Sequence, residues 1–160
     1  MIRPRAALLA LLALPTVAPA QGVQLGGAFA ADPSAPVEVT SDSLDVDQAT
    51  GAATFTGNVV IGQGDLRVQA GEVEVRYDEA TGGIARLLAT GGVTLATPEE
   101  AAEAQAADYD LGSGTLTMTG EVLLTQGPSA ISGDRLVVDL DSGTARMEGN
   151  VRTILQRPAP

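Results

Sequence analysis

Cysteine, histidine, tryptophan and lysine are all absent from this chain of 160 residues, which has only two phenylalanines and two tyrosines. Without cysteine no disulfide can staple the fold, so stability must come from apolar burial and backbone pairing. Without His or Cys, zinc, copper and haem lose their ordinary ligands, and neither a Ser-His-Asp nor a Cys-His catalytic arrangement can be built. Without lysine, nine arginines stand against twenty acidic residues, a net charge of −11. That balance argues against nucleic acid as a partner, because binding it requires clustered cations that neutralise phosphates.

The N-terminus has the three-part pattern of a secretory signal: Arg3 and Arg5, an apolar run from Ala6 to Leu14, then Ala18-Pro19-Ala20. The run is about half of what a bilayer span needs. Cleavage is expected after Ala20, with Ala28-Phe29-Ala30 as a second possible site, so residues 1–20 read as a signal peptide and the destination as the periplasm. Their removal takes two arginines and no acid, leaving seven basic and twenty acidic residues, a net charge of −13. Residues 21–36, rich in Gly, Ala and Pro without periodicity, read as a disordered leader. The domain is expected over 37–155 and a short tail over 156–160.

What is present is a repeat. The strings ATFTGNVVI from Ala53, LLATGGVTL from Leu87, LTMTGEVLL from Leu116 and ARMEGNVRT from Ala145 align with Gly57, Gly91, Gly120 and Gly149 in register, the last two intervals both 29 residues. Four columns of one parity are almost wholly apolar: Ala53/Leu87/Leu116/Ala145, Phe55/Ala89/Met118/Met147, Val59/Val93/Val122/Val151 and Ile61/Leu95/Leu124/Thr153. The residues between are mostly polar. Period two means strands with one buried face, and a glycine recurring in one column implies a bend, a bulge or a close backbone approach. The repeat is longer than one strand, since Asp42, Leu44, Val46 and Asp47 match Asp134, Leu136, Val138 and Asp139. Turn residues punctuate the rest at short spacing, giving an all-β protein of about a dozen short antiparallel strands. Thr97 to Ala106 is ambiguous: Thr97, Pro98 and Glu100 suit a short capped helix, while alignment with the fourth copy makes its end a strand.

Little here suggests catalysis. Gly82-Gly83 and Gly91-Gly92 lack the Lys-Ser/Thr of a phosphate loop and read as turns. Asp45/Asp47 and Asp139/Asp141 are the only paired carboxylates worth weighing as acid and base or as a calcium site. The simpler reading puts them at solvent-facing strand positions and turn starts. No cofactor or metal is implied. The apolar columns are built from small and flexible residues with few large fillers, which leaves room for a seam that something else occupies.

The pattern S-D-x-L-x-x-D followed by T-G-N-V, from Ser41 and Thr56, and its second form G-D-R-L-V-V-D followed by E-G-N-V, from Gly133 and Glu148, resembles the OstA-like domain family. The periplasmic lipopolysaccharide export protein LptA has this domain. The resemblance covers Val37 to about Leu155, with the central copy departing at Gly91-Gly92. It implies a twisted, V-shaped β-jellyroll whose apolar interior shields lipid acyl chains, and head-to-tail joining that bridges the inner and outer membranes. Partners would be lipopolysaccharide, through its lipid A acyl chains, and the inner- and outer-membrane transport proteins that share the domain. The lining residues would be Leu44, Val46, Phe55, Val59, Ile61, Leu87, Val93, Leu95, Leu116, Met118, Val122, Leu124, Leu136, Val138, Met147 and Val151. Assembly edges are expected at Val37 and Val39 and at Val151, Arg152 and Ile154, where open strands invite pairing. Since an acidic surface does not attract an anionic glycolipid, affinity would come from acyl burial, on the order of 9 kcal/mol for a chain of about twelve carbons before ordering costs. Alternatives are a lipid-free structural or adhesive β-repeat protein, and the related domain of an inner-membrane export partner.

Overall fold

The computed structural model describes residues 35–140, 142 and 144–156. The signal segment, nearly all of the leader, Asp141 and the last four residues therefore lie outside the described residues. Twelve strands follow one another: β1 (Val37–Thr40), β2 (Ser43–Val46), β3 (Ala53–Gln63), β4 (Leu66–Tyr77), β5 (Ile84–Thr90), β6 (Val93–Ala96), β7 (Glu100–Ala104), β8 (Ala106–Asp110), β9 (Thr115–Gln126), β10 (Ser129–Asp139), β11 (Thr144–Glu148) and β12 (Arg152–Ile154). All pairings are antiparallel and join one sheet.

The sheet is creased into two rows of eight strand positions. One row runs β2, β3, β4, β5, β8, β9, β10, β11, using the 53–56 end of β3, the 72–77 end of β4, the 115–119 end of β9 and the 135–139 end of β10. The other runs β1, β3, β4, β6, β7, β9, β10, β12 and uses the opposite ends of the same four long strands. Both rows turn their apolar faces to a shared interior, where Val59, Val73, Met118, Val122, Leu136 and Val138 are almost wholly buried.

The crease is made by the repeat glycines. Gly57-Asn58, Gly91-Gly92, Gly120-Glu121 and Gly149-Asn150 all have positive φ at both residues, a region that L side chains rarely adopt. Each two-residue corner faces a one-residue corner on the neighbouring strand, so that the β3/β4 register slips between Thr56 and Val59 and the β9/β10 register between Gly133 and Arg135. This is the geometry of a β-bulge, with two residues opposing one and the strand bent. At the first corner the Asp42 N–H donates to Gly57 O at 2.9 Å and Asn58 Nδ2 donates to Asp42 Oδ2 at 2.8 Å. The last repeats it: Asp134 N–H to Gly149 O at 2.9 Å and Asn150 Nδ2 to Asp134 Oδ2 at 2.7 Å.

Of the two expectations for residues 97–106, the strand holds. A hairpin replaces the helical turn: Thr97 N–H donates to Glu100 O at 2.9 Å, and β7 then pairs with β6 on one side and β9 on the other. Two ladders of hydrogen bonds outweigh the helix propensity of an alanine-rich segment.

A Cβ at Gly149 would lie 2.8 Å from Asp134 Cβ, whereas one at Gly82, also at positive φ, meets nothing within 4 Å. Gly149→Val is expected to destabilise the domain by more than about 1 kcal/mol in urea unfolding despite its higher strand propensity, and Gly82→Ala by less. A neutral Gly149→Val would remove the corner's structural role.

Candidate functional site

Between the two rows lies a cavity of about 600 Å³, within the range of small-molecule pockets. One wall comes from Val73, Leu87, Ala89, Ala107, Tyr109, Leu116 and Met118, the other from Ile61, Leu66, Val68, Val93 and Leu95. Val37 and Gln63 reach it from one row and Ile84, Leu111 and Leu140 from the other, all near the turn ends of their strands. Gln63 and the hydroxyl-bearing Tyr109 are the polar side chains of the lining, and none is charged. The space exists because alanine stands at Ala89 and Ala107, paired across β5 and β8, where a larger residue would fill it.

Of the lining residues expected from sequence, Ile61, Leu87, Val93, Leu95, Leu116 and Met118 come together around this cavity. Val59, Val122, Leu124, Leu136 and Val138 instead pack into the closed core, and Phe55 and Met147 pack half-buried against it. Leu44, Val46 and Val151 stand more than half exposed at the two ends of the array. Leu66, Val68, Val73 and Tyr109 were not expected; the signal for the first three is the period-two alternation of Leu66-Arg67-Val68 and Glu72-Val73-Glu74-Val75, which carries no repeat glycine motif, and for Tyr109 the alternation of Ala107, Tyr109 and Leu111.

One member of each carboxylate pair, Asp47 and Asp139, serves a turn. Asp47 Oδ1 accepts from Ala49 N–H at 2.8 Å, and Asp78, Asp110 and Asp139 accept from turn N–H groups in the same way. Those backbone donors hold Asp47 and Asp78 below the usual carboxylate range. Asp45, on the outer face of β2, pairs with Thr54, and Asp141 lies outside the described residues. On the outer face of β5 and β8, Arg86 forms an ion pair with Asp108, whose carboxyl it holds below the usual range.

One polar group breaks the interior pattern. Glu100 shares a strand face with the buried Ala102 and is itself only 4% exposed. One carboxylate oxygen accepts from Gln126 Nε2, while the other is buried with no hydrogen-bond partner. Burial pushes this carboxyl above the ordinary glutamate range.

A model of the family described as LptA/(LptD N-terminal domain) LPS transport protein matches residues 38–144. The chain belongs to this family. Among LptA-type structures, the crystal structure of LptH, described as the LptA homologous periplasmic component of the lipopolysaccharide transport device of Pseudomonas aeruginosa, matches with a TM-score of 0.69. The match is at 17% identity and covers 79% of this chain and 99% of that one, so the fold is the LptA-like β-jellyroll. In sequence the chain is 29% identical over 116 residues to an uncharacterized protein of Rhizobium meliloti (strain 1021), covering 68% of this chain and 59% of that protein. The chain thus spans about three fifths of the length of this curated relative.

Because the folded state favours protonated Glu100, its contribution is fully present below the ordinary glutamate value of 4.5 and is lost as pH rises through the raised one. Glu100→Gln is therefore expected to raise the unfolding midpoint at pH 7 and to leave it unchanged near pH 3.5. The turn aspartates run the opposite way but cancel between variant and parent. An equal midpoint at pH 7 would mean that the buried oxygen bears no penalty.

Proposed function

We propose that this protein carries lipopolysaccharide across the periplasm, holding acyl chains between the two rows and joining end to end with copies of itself and with domain-sharing partners at the inner and outer membranes. The reading rests on family membership together with one observation: an apolar cavity of about 600 Å³ whose lining contains no charged side chain. With a net charge of −13 once residues 1–20 are removed, the protein offers an anionic head group no attraction. Burial at about 0.8 kcal/mol per CH₂ supplies the affinity instead. Nothing in this role calls for bond-breaking chemistry. A lipid-free structural role leaves the cavity unused.

The end-to-end part is supported by the edges. Among the described residues, β1 and β2 pair only with β3, and β12 and β11 only with β10. Leu44 and Val46, on the apolar face of β2, are left 53% and 61% exposed, as an edge awaiting another strand would be. Such a contact is heterologous and propagates.

A photoreactive residue at Leu87, half-buried in the lining, is expected to crosslink to lipopolysaccharide in cells, whereas the same group at the exposed, outward-facing Glu103 is not. Leu87→Asp should keep cooperative unfolding and weaken lipopolysaccharide binding at least about tenfold, since an enclosed carboxylate opposes an acyl chain. Undiminished binding would place the lipid elsewhere.

Prolines at Arg152 and Ile154, which remove donors from the terminal edge, should leave a folded monomer that does not support lipid export. Persistent self-association of this variant in sedimentation would show that β12 is not the joining edge.

A further inference from the structure

Across the eight strand positions the corners alternate strictly between one residue and two: Asp42, Gly57-Asn58, Gly71, Gly91-Gly92, Gln105, Gly120-Glu121, Asp134, Gly149-Asn150. The array thus begins on a one-residue corner and ends on a two-residue corner, and strand direction alternates with it. A second copy placed after β11 and β12 continues both alternations without a fault. We infer that copies join in one register, in which Arg146 of one molecule stands opposite Asp45 of the next and forms a cross-strand ion pair that sets the polarity and phase of the joint. This deepens the end-to-end part of the reading above and rests on it.

The register comes from joints already inside the molecule. Three times a strand with a two-residue corner is followed by one with a one-residue corner: β3 by β4, β5/β6 by β8/β7, and β9 by β10. Counted from the corner, all three joints pair the same positions. Thr54 meets Glu74, Leu88 meets Asp108 and Thr117 meets Val137. Three residues from the Gly149 corner is Arg146, and three from the Asp42 corner is Asp45. On the other side of the crease Val60 meets Gln69, Thr94 meets Glu103 and Leu123 meets Ser132, which places Arg152 opposite Thr40. On the inner face, the pairs Phe55/Val73, Ala89/Ala107 and Met118/Leu136 place Met147 opposite Leu44. The exposed Leu44 is thereby covered and the apolar interior runs from one copy into the next.

Charge agrees with this arrangement. The outer faces of β1 and β2 present Glu38 and Asp45, those of β11 and β12 Arg146 and Arg152. Glu148 is already engaged by Arg135 at 3.2 Å, while neither Arg146 nor Arg152 forms an ion pair among the described residues. Like ends brought together would oppose like charges, which destabilises a strand pair.

The full mature chain has no cysteine, so introduced thiols report the register directly. Under mild oxidation, Thr40→Cys with Arg152→Cys is expected to give a ladder of covalent multimers, and Glu38→Cys with Arg152→Cys, two residues out of step on the same face, several-fold less. Asp45→Arg and Arg146→Asp should each weaken self-association by on the order of tenfold, and an equimolar mixture of the two should restore it, because every joint then pairs opposite charges. Stronger linking by the slipped pair, or a mixture that assembles no better than its components, overturns the register. If the parent chain stays monomeric while binding lipopolysaccharide, end-to-end assembly itself is overturned and lipid binding stands.

Discussion

A sheet that must bend through a crease while keeping one face dry has a parity problem, and the rest of this molecule depends on how it is solved. Side chains alternate from face to face with period two, so one extra residue at a bend moves every later side chain to the wrong side. A two-residue corner preserves the alternation; a one-residue corner reverses it. Placing the two kinds on adjacent strands makes each crossing of the crease a bulge, and the apolar faces of both rows meet. The cost is backbone at positive φ, met by glycine at the first corner residue and by Asn58, Gly92, Glu121 or Asn150 at the second. Aspartate or glutamine from the neighbouring one-residue corner then receives or makes the hydrogen bonds that the bulge frees at three of the four sites.

At the remaining site, Gly71 approaches Gly91, and a Cβ on Gly91 would lie 3.1 Å from Gly71 Cα. With no side chain at that corner the two backbones close directly on each other. This is the stretch of the array that carries the cavity. Toward β10 and β11 Leu124, Leu136 and Met147 fill the interior, whereas at β5 and β8 Ala89 and Ala107 leave space. The same apolar alternation thus yields a packed core at one end and an open seam at the other, decided by residue volume alone.

This explains what was legible in the sequence. The four two-residue corners preserve parity, so their flanking columns line up and the glycine repeat, the strand class and the family resemblance can all be read from Gly57, Gly91, Gly120 and Gly149. The one-residue corners, Asp42, Gly71, Gln105 and Asp134, share a residue type only at the first and last, and they reverse the alternation. They hid the contribution of β4, with Leu66, Val68 and Val73, to the lining. Val93 and Val122 occupy one column yet differ in surroundings, because what faces each comes from a strand distant in sequence. Glu100, plausible as the cap of a helix, is a buried strand residue for the same reason: only the pairing of β7 on both edges makes it so.

The separation of charge and burial in this chain bears on the proposed transport. Apart from the buried Glu100, acidic side chains line turns and outer faces, so a cargo with an anionic head and apolar tails would be repelled by the surface and attracted only by the seam. A seam that ended at each molecule's edge would release the tails into water at every joint, at about 0.8 kcal/mol for each CH₂ exposed. On the function proposed above, passage between copies therefore requires the apolar faces of β2 and β11 to meet without a gap. An array of eight positions with alternating corners, beginning on one kind and ending on the other, would satisfy that requirement with no additional structure at the junction.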